Sequence, residues 1–222
     1  MHNRALKKTV RDLLIRQSLD AALEQLFKMK LRRVINPLFS FFYSGDEQLR
    51  WRAITAAGAV ISTMADRQIE DARVMLRRLM WNLNDESGGI GWGSPEAMGE
   101  AMARNTRLAG EFAPILVSYL NPDGNFLEHE GLQCGSLWGV GRLAERRPQM
   151  AVAAAPFLEP FLASANPQHR GLAAWCVQSL APVTTVKMPA RIYTDETVIQ
   201  LYVGESFHNL PISQLAATTG IG

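Results

Sequence analysis

The sequence contains few cysteines and no long apolar run. Its 222 residues include two cysteines, Cys134 and Cys176, and no C-x-x-C pair. This excludes a disulfide-stapled fold and suits a reducing compartment. No uncharged apolar stretch reaches the roughly 18 residues that a membrane-spanning helix needs, and the N-terminus leads into a charged amphipathic segment rather than an apolar signal core. We therefore predict a cytoplasmic protein without membrane contact.

Lysine is nearly absent beyond residue 33, where Lys187 is the single one. Residues 1–33 hold nine Lys or Arg and three acids, whereas the rest of the chain holds fourteen Lys or Arg and eighteen acids. Duplex nucleic acid requires a basic track along the binding surface, so the sequence argues against a nucleic-acid partner. The main basic side chains near the N-terminus are Lys7, Lys8, Arg11, Lys28, Lys30, Arg32 and Arg33. They form either the solvated face of a terminal cap or a surface for an acidic partner, nucleic acid or protein.

Four stretches, spaced about forty residues apart, share one pattern in which a bulky residue precedes small residues at fixed offsets. They are Trp51-Arg52 with Ala56 and Gly58, Trp92-Gly93 with Ala97 and Gly99, His129-Glu130 with Cys134 and Ser136, and His169-Arg170 with Ala174 and Cys176. The steps between them are 41, 37 and 40 residues, which is typical of two-helix solenoid repeats. Small side chains let the inner helices of successive pairs approach closely.

We predict an all-α fold from this period and from a composition of 47% hydrophobic and 20% charged residues. The expected architecture is a right-handed α-solenoid of two-helix repeats over residues 1–182. Residues 1–45 form an atypical basic N-terminal cap, and residues 183–222 form a small β-containing C-terminal cap. The C-terminal cap is predicted from the β-branched and aromatic residues of the final segment.

Helical spacing and capping signals place the individual elements. Ser18, Asp46, Asp66 and Ser94 are the expected N-caps. The helices are expected at Val34–Tyr43, Asp46–Met64, from Asp66 onward, Thr106–Leu120, Asn125–Glu145, Pro148–Ala163 and Pro167–Leu180. In the C-terminal segment we expect a β-hairpin from Arg191–Tyr193 and Val198–Val203, with Pro211–Leu215 as a last strand or short turn.

Parts of the chain resemble known families. The run HRGLAAWCV at residues 169–177 resembles the short HEAT repeat also found in bilin lyases, and residues 46–182 resemble the HEAT or armadillo-like superfamily. The run LMWNLNDESGGIGWG at residues 79–93, followed by Pro95-Glu96-Ala97, resembles a signature of a small family of bacterial HEAT-like proteins with no known activity. The superfamily resemblance implies an α-solenoid that serves as a binding scaffold, and it implies no specific chemistry.

Equivalent positions of the four repeats predict a binding stripe. In such solenoids the second helix of each pair generally lines the concave face, and positions four residues apart share one helix face. The stripe consists of Trp51, Trp92, His129 and His169, then Thr55, Glu96, Gln133 and Ala173, with Arg52, Glu130 and Arg170 beside it. Alternatively, the tryptophans pack the repeats together, the charged residues form structural ion pairs, and the histidines are satisfied helix residues rather than metal ligands.

A glycine-rich loop, residues 84–93, interrupts the helices and is long for a helix connection. In a functional interpretation, Asn84, Asp85 and Glu86 precede a turn that carries Trp92 to the groove, and Glu96 with Glu100 offers carboxylates for a cation or for acid-base work. In a structural interpretation, the same residues cap helix ends and the glycines supply positive φ. The loop lacks the Lys-Ser/Thr ending of a phosphate-binding P-loop.

The favoured function is a non-enzymatic scaffold that binds a protein or peptide partner in its concave groove. One alternative is a HEAT-like DNA glycosylase acting on alkylated bases, which the fold resemblance suggests and the scarce basic residues oppose. Another is a small-ligand or cation-binding protein that uses the acidic loop. No nucleophile-base or metal-spaced constellation stands out, so we predict no catalytic residue, metal or cofactor.

Overall fold

The computed structural model describes residues 3–84 and 91–217, and most of these residues are helical. The chain divides into two compact units, Met1–Leu108 and Ala109–Gly222. None of the helices within the described ranges is long and apolar enough to cross a membrane.

The first unit contains six helices in its described part. They are α1 (Asn3–Arg16), α2 (Leu19–Phe27), α3 (Leu31–Ser40), α4 (Glu47–Arg67), α5 (Ile69–Leu83) and α6 (Ser94–Arg104). Two predicted N-caps are confirmed, since Ser18 Oγ accepts a hydrogen bond from Ala21 N and Asp46 Oδ1 accepts one from Leu49 N. The side-chain oxygen replaces the helical acceptor that the first turn lacks.

Other predicted boundaries in this unit were wrong. Asp66 does not begin a helix, because α4 continues to Arg67 and the Asp66 carboxylate accepts a hydrogen bond from Asn105 Nδ2 at 2.9 Å. The helix expected at Val34–Tyr43 begins earlier, at Leu31, and ends at Ser40. Gly93 rather than Ser94 is the N-cap of α6, and its left-handed φ of 75° favours glycine.

Helices α4 and α6 run side by side in the same direction. A Cβ on Gly93 would lie 2.9 Å from atoms of Ile54, a Cβ on Gly58 would lie 2.6 Å from Glu100, and Asp66 at the end of α4 contacts Asn105 at the end of α6. The predicted role of small residues is visible in this contact, because only a missing side chain at Gly58 lets the two backbones approach this closely.

The second unit combines helices with one hairpin. Its elements are α7 (Thr106–Ser118, which begins at the end of the first unit), α8 (Glu130–Arg146), α9 (Pro148–Ala151), a 3₁₀ helix (Val152–Phe157), α10 (Glu159–Leu162), α11 (Pro167–Leu180), a 3₁₀ helix (Ala190–Thr194), β1 (Val198–Val203), β2 (Ser206–Pro211) and α12 (Ile212–Ala217). The helix predicted from Asn125 begins only at Glu130, with His129 as its N-cap. The helix predicted at Pro148–Ala163 is broken into three short pieces, and Pro156 and Pro160 lie within that stretch without the N–H that a continuous helix would use.

The hairpin has a different partner strand from the predicted one. β1 pairs antiparallel with β2, Val198 opposite Pro211 and Val203 opposite Ser206. Residues 191–193 lie in a 3₁₀ helix, and Ile212–Ala217 form a helix instead of a last strand. Gly204-Glu205 supplies the tight turn, with both residues at positive φ; this local signal connects β1 to the strand after it.

In the second unit α11 packs against α8 and the hairpin. A Cβ on Gly141 of α8 would lie 2.5 Å from the Trp175 ring of α11, and a Cβ on Gly171 of α11 would lie 2.3 Å from Ile199 of β1. Trp138 Nε1 also donates to Tyr202 O at 2.9 Å. The hairpin therefore packs on both α8 and α11.

The four predicted pairs of small residues all lie in long helices. Ala56 and Gly58 belong to α4, Ala97 and Gly99 to α6, Cys134 and Ser136 to α8, and Ala174 and Cys176 to α11. All except the half-buried Cys134 are buried. The small-residue pattern thus identifies close helix contacts within each unit, and the stacking of all repeats into a solenoid stays a prediction.

Candidate functional site

The four positions predicted to be equivalent lie in different local structures. Trp51 is inside α4, Trp92 lies in the turn before α6, His129 is the N-cap of α8, and His169 is in the first turn of α11. Sequence spacing alone therefore does not give them one common helix position.

His129, Glu130 and Gln133 make contacts around the start of α8. His129 Nδ1 accepts a hydrogen bond from Gly131 N at 3.1 Å, and Glu130 Oε2 accepts one from Asn166 Nδ2 at 3.1 Å. Gln133 is buried, and its Nε2 donates to Glu128 O at 3.5 Å. These bonds cap α8 and connect it to the start of α11, which is the structural role left open by the sequence.

His169 and Arg170 connect α11 to its neighbours. The His169 ring is buried, with Nε2 3.3 Å from Glu130 O and Nδ1 3.1 Å from Ser164 Oγ. Because a carbonyl only accepts, Nε2 carries the proton and Nδ1 accepts from the serine hydroxyl. Both ring nitrogens are therefore used by the protein. Arg170 donates to Asp195 Oδ2 at 2.8 Å and to the carbonyls of residues 164 and 165.

In the first unit Arg52 is buried rather than exposed on a groove. Its guanidinium donates to Leu14 O and to Gln17 O, both at 2.5 Å, so it satisfies carbonyls at the C-terminal end of α1. Asn84 is exposed at the end of α5, where its N–H donates to Trp81 O at 3.0 Å. Asp85 and Glu86, the other predicted loop residues, lie outside the described residues.

The start of α6 and the adjacent part of α4 contain polar atoms without hydrogen-bond partners. Thr55 Oγ1, Ser94 Oγ and Glu96 Oε2 are all buried, and none has a hydrogen-bond partner among the described residues. Trp51, one turn before Thr55, and Trp92, just before α6, are both half-buried. We call these five residues the α4/α6 edge. The parallel packing of the two helices brings the part of α4 around Thr55 level with the start of α6.

Glu96 has the most unusual environment of this group. Burial of its carboxyl raises the pKa to about 7 from an ordinary 4.5, although its own backbone N–H and the charge of Arg50 act in the opposite direction. The residue as a whole keeps partial exposure, whereas its Oε2 atom is buried. At neutral pH the group is shared between its neutral and ionised forms.

The sequence does not reveal the role of Ser94 at this site or the effect of Arg50 on it. The sequence pattern predicts Ser94 as an N-cap, but its hydroxyl is buried without a partner. Arg50 was not singled out, because it forms an ordinary-looking i,i+3 ion pair with Glu47 at 2.9 Å, and its field at Glu96 depends on tertiary packing. Within residues 3–84 and 91–217, no group of three His, Cys, Asp or Glu side chains could hold a metal ion.

No protein-family model matches the chain. A protein of Archaeoglobus fulgidus, described as an uncharacterized protein, is 32% identical to it over 108 residues, which are 49% of this chain and 52% of that protein. The chain thus spans about half the length of this relative. Because the description of that protein states no activity, the similarity assigns none to this chain.

Proposed function

We propose that this chain is a non-enzymatic, HEAT-like helical scaffold that binds a protein or peptide segment, and that the α4/α6 edge is its binding surface. The stacking of repeats into a solenoid and a cytoplasmic location belong to the same proposal, and they rest on the repeat period and on the scarcity of cysteine.

The observation that carries the proposal is the set of three unpartnered oxygens on α6 near its start and on the adjacent part of α4. A buried polar group without a hydrogen bond costs about 1–3 kcal/mol, and native proteins leave few of them. Thr55 Oγ1, Ser94 Oγ and Glu96 Oε2 all lie at the α4/α6 edge. A bound segment that supplies a hydrogen-bond partner to Glu96, the one of the three residues with partial exposure, would remove part of this cost.

The side chains at this edge favour a cationic donor from the partner, such as Lys or Arg. Ionised Glu96 accepts charge-assisted hydrogen bonds, and tryptophan faces attract ammonium and guanidinium groups. Bound cation would favour the ionised carboxylate, so partner affinity should rise as pH increases through the pKa of about 7 of Glu96. No specific contact in residues 3–84 and 91–217 favours the glycosylase or cation-binding alternative.

A photo-crosslinking experiment tests the proposal. A photoreactive amino acid replaces Trp92 in one variant and the exposed Gln25 of α2 in another. Irradiation in lysate, followed by mass spectrometry, should give a protein adduct at position 92 and none of the same identity at position 25. The adduct should be lost when Glu96→Gln is added, because the charge-assisted bond disappears.

Two results would contradict the proposal. The first is the same adduct from both positions, since that indicates a non-specific surface. The second is an unchanged yield of the position-92 adduct in the Glu96→Gln background, since the carboxylate would then have no part in binding. Circular dichroism of each variant shows that loss of the adduct does not come from unfolding.

A further inference from the structure

The first unit also contains a surface groove whose side chains differ in charge from those of the α4/α6 edge. A groove of about 270 Å³ runs between α1 and α3, and its lining includes Leu6 and Lys7 from α1 and Arg32, Arg33, Asn36 and Pro37 from α3. We call it the basic groove. Its floor is apolar, since Leu6 and Pro37 are buried, while the basic side chains are exposed at its rim.

Several of the cations around the basic groove are held in place by the fold. Arg32 forms a bidentate pair with Asp71 of α5, with Nε to Oδ2 at 2.7 Å, and the hydrogen bond lowers the pKa of Asp71. The Arg32 side chain is nevertheless 68% exposed. Arg78 of α5 donates to Asn36 Oδ1 and lies over the Phe39 ring. Pre-positioned side chains lose less conformational freedom when a ligand binds.

The charge balance around the basic groove is positive. Among the described residues no carboxylate lines it, and Asp71, which contacts its rim, is engaged by Arg32. Lys7 Nζ lies 5.2 Å from the centroid of the Phe41 ring, which stabilises the ammonium at the groove. The first unit holds seventeen Lys or Arg and twelve Asp or Glu, whereas the second holds six and nine. An anionic ligand would be attracted here.

We propose that the basic groove binds an acidic segment of a protein partner, with Asp or Glu carboxylates facing Lys7, Arg32 and Arg33 and with apolar side chains on Leu6 and Pro37. Arginine side chains suit carboxylates because they offer paired donors. A nucleic-acid strand fits less well, since Phe39 and Phe41 are 5% and 6% exposed and so cannot stack on bases. This inference is independent of the α4/α6 edge.

Fluorescence polarisation with the full chain and a short labelled Glu/Leu peptide tests the inference. The wild-type chain should bind the peptide at low salt, and a peptide with Gln in place of Glu should not bind. The double variant Lys7→Gln, Arg33→Gln should weaken binding by about tenfold or more, because it removes two cations from the groove. Added salt should weaken the wild-type complex.

The control variant Lys8→Gln, Lys28→Gln removes the same charge at two exposed positions that do not line the groove. Its affinity for the peptide should stay within about threefold of the wild-type affinity, because only long-range attraction changes. Trp92→Ala should leave peptide binding unchanged, which separates this inference from the proposed function. Equal weakening by the two double variants, or absence of peptide binding at low salt, would overturn it. Duplex DNA or inorganic phosphate displacing the peptide at lower concentration than unlabelled peptide would also overturn it, because the groove would then be a phosphate site.

Discussion

At the scale of single residues, the role of a charged side chain in this chain depends on its contacts. Arg52 and Arg170 were predicted beside a binding stripe, and both donate to backbone carbonyls that helix ends or turns leave unsatisfied. Glu96 was predicted in the same stripe, and one of its oxygens is buried without a partner. What distinguishes a structural polar residue from a candidate binding residue is whether the protein itself provides its hydrogen bonds.

Glu96 should make the stability of the first unit depend on pH. Its pKa is raised to about 7 in the native state, so native Glu96 holds its proton more tightly than the unfolded chain does. The free energy of unfolding should therefore fall between pH 4.5 and about 7, by on the order of 3 kcal/mol. Glu96→Gln should remove this fall, and the variant should be more stable than wild type at pH 8 and similar to it at pH 4.5.

Urea unfolding at several pH values measures this effect, with Glu24→Gln on the exposed face of α2 as the matched control. Equal pH profiles for wild type and Glu96→Gln would show that the Glu96 carboxyl titrates normally. If Glu96→Gln is more stable than wild type and also loses the crosslinked partner, the buried carboxylate serves binding rather than folding.

Two threonines of α4 give a second comparison at this scale. Thr55 Oγ1 is buried without a partner, whereas Thr63 Oγ1 donates to Ala59 O at 3.0 Å. Thr55→Val should raise the free energy of unfolding by about 1 kcal/mol, since a desolvated hydroxyl becomes a methyl group. Thr63→Val makes the same change in the same helix and should lower the free energy of unfolding or leave it unchanged. Thermal unfolding of both variants measures the difference, and a greater loss of stability for Thr55→Val would contradict the assignment.

At the scale of helices and strands, local signals were reliable where the residues that make the contact are neighbours in sequence. Ser18 and Asp46 cap their helices as predicted, because an N-cap bonds to an N–H three residues ahead. Asp66 has the same side-chain chemistry but contacts Asn105, far along the chain, and α4 continues through it. The hairpin partner of β1 was missed because Ser206–Pro211 has little of the β-branched composition that signals a strand.

The close contact of α4 with α6 predicts opposite effects for two glycine substitutions. Gly58→Ala would bring a Cβ to 2.6 Å from Glu100 and should lower the free energy of unfolding by about 1–3 kcal/mol. Gly110 lies in α7 with nothing within 4 Å of its added Cβ, so Gly110→Ala should raise the free energy of unfolding by up to about 1 kcal/mol through helix propensity. Chemical unfolding checks both, and a stabilising Gly58→Ala would exclude the tight contact.

At the scale of the whole molecule, the division into two compact units predicts that each opens as its own cooperative unit. Cys176, buried in α11, reports on the second unit, because burial raises its pKa and shields the thiol. In a Cys134→Ser background, Leu143→Ala in α8 should accelerate labelling of Cys176 by a thiol reagent. Leu76→Ala in α5 should have little effect, although both leucines are fully buried.

The rate of Cys176 labelling, followed by mass spectrometry under native conditions, measures this prediction. Each leucine-to-alanine change should cost about 2–5 kcal/mol in its own unit, so the two variants are matched in size. Equal acceleration by both would show that the chain unfolds as one cooperative body.

The amino-acid sequence by itself determined the helical character of the chain, the positions of the small residues that enter close helix contacts, two N-caps and the basic N-terminal segment. These properties depend on side-chain size, charge and hydrogen bonds over a few residues. Only the tertiary structure decided which polar side chains have partners, since Arg52 bonds to Leu14 and His169 to Glu130 across 38 and 39 residues of sequence. The unpartnered oxygens of Thr55, Ser94 and Glu96 became visible for the same reason: hydrogen-bond satisfaction depends on neighbours that folding brings together.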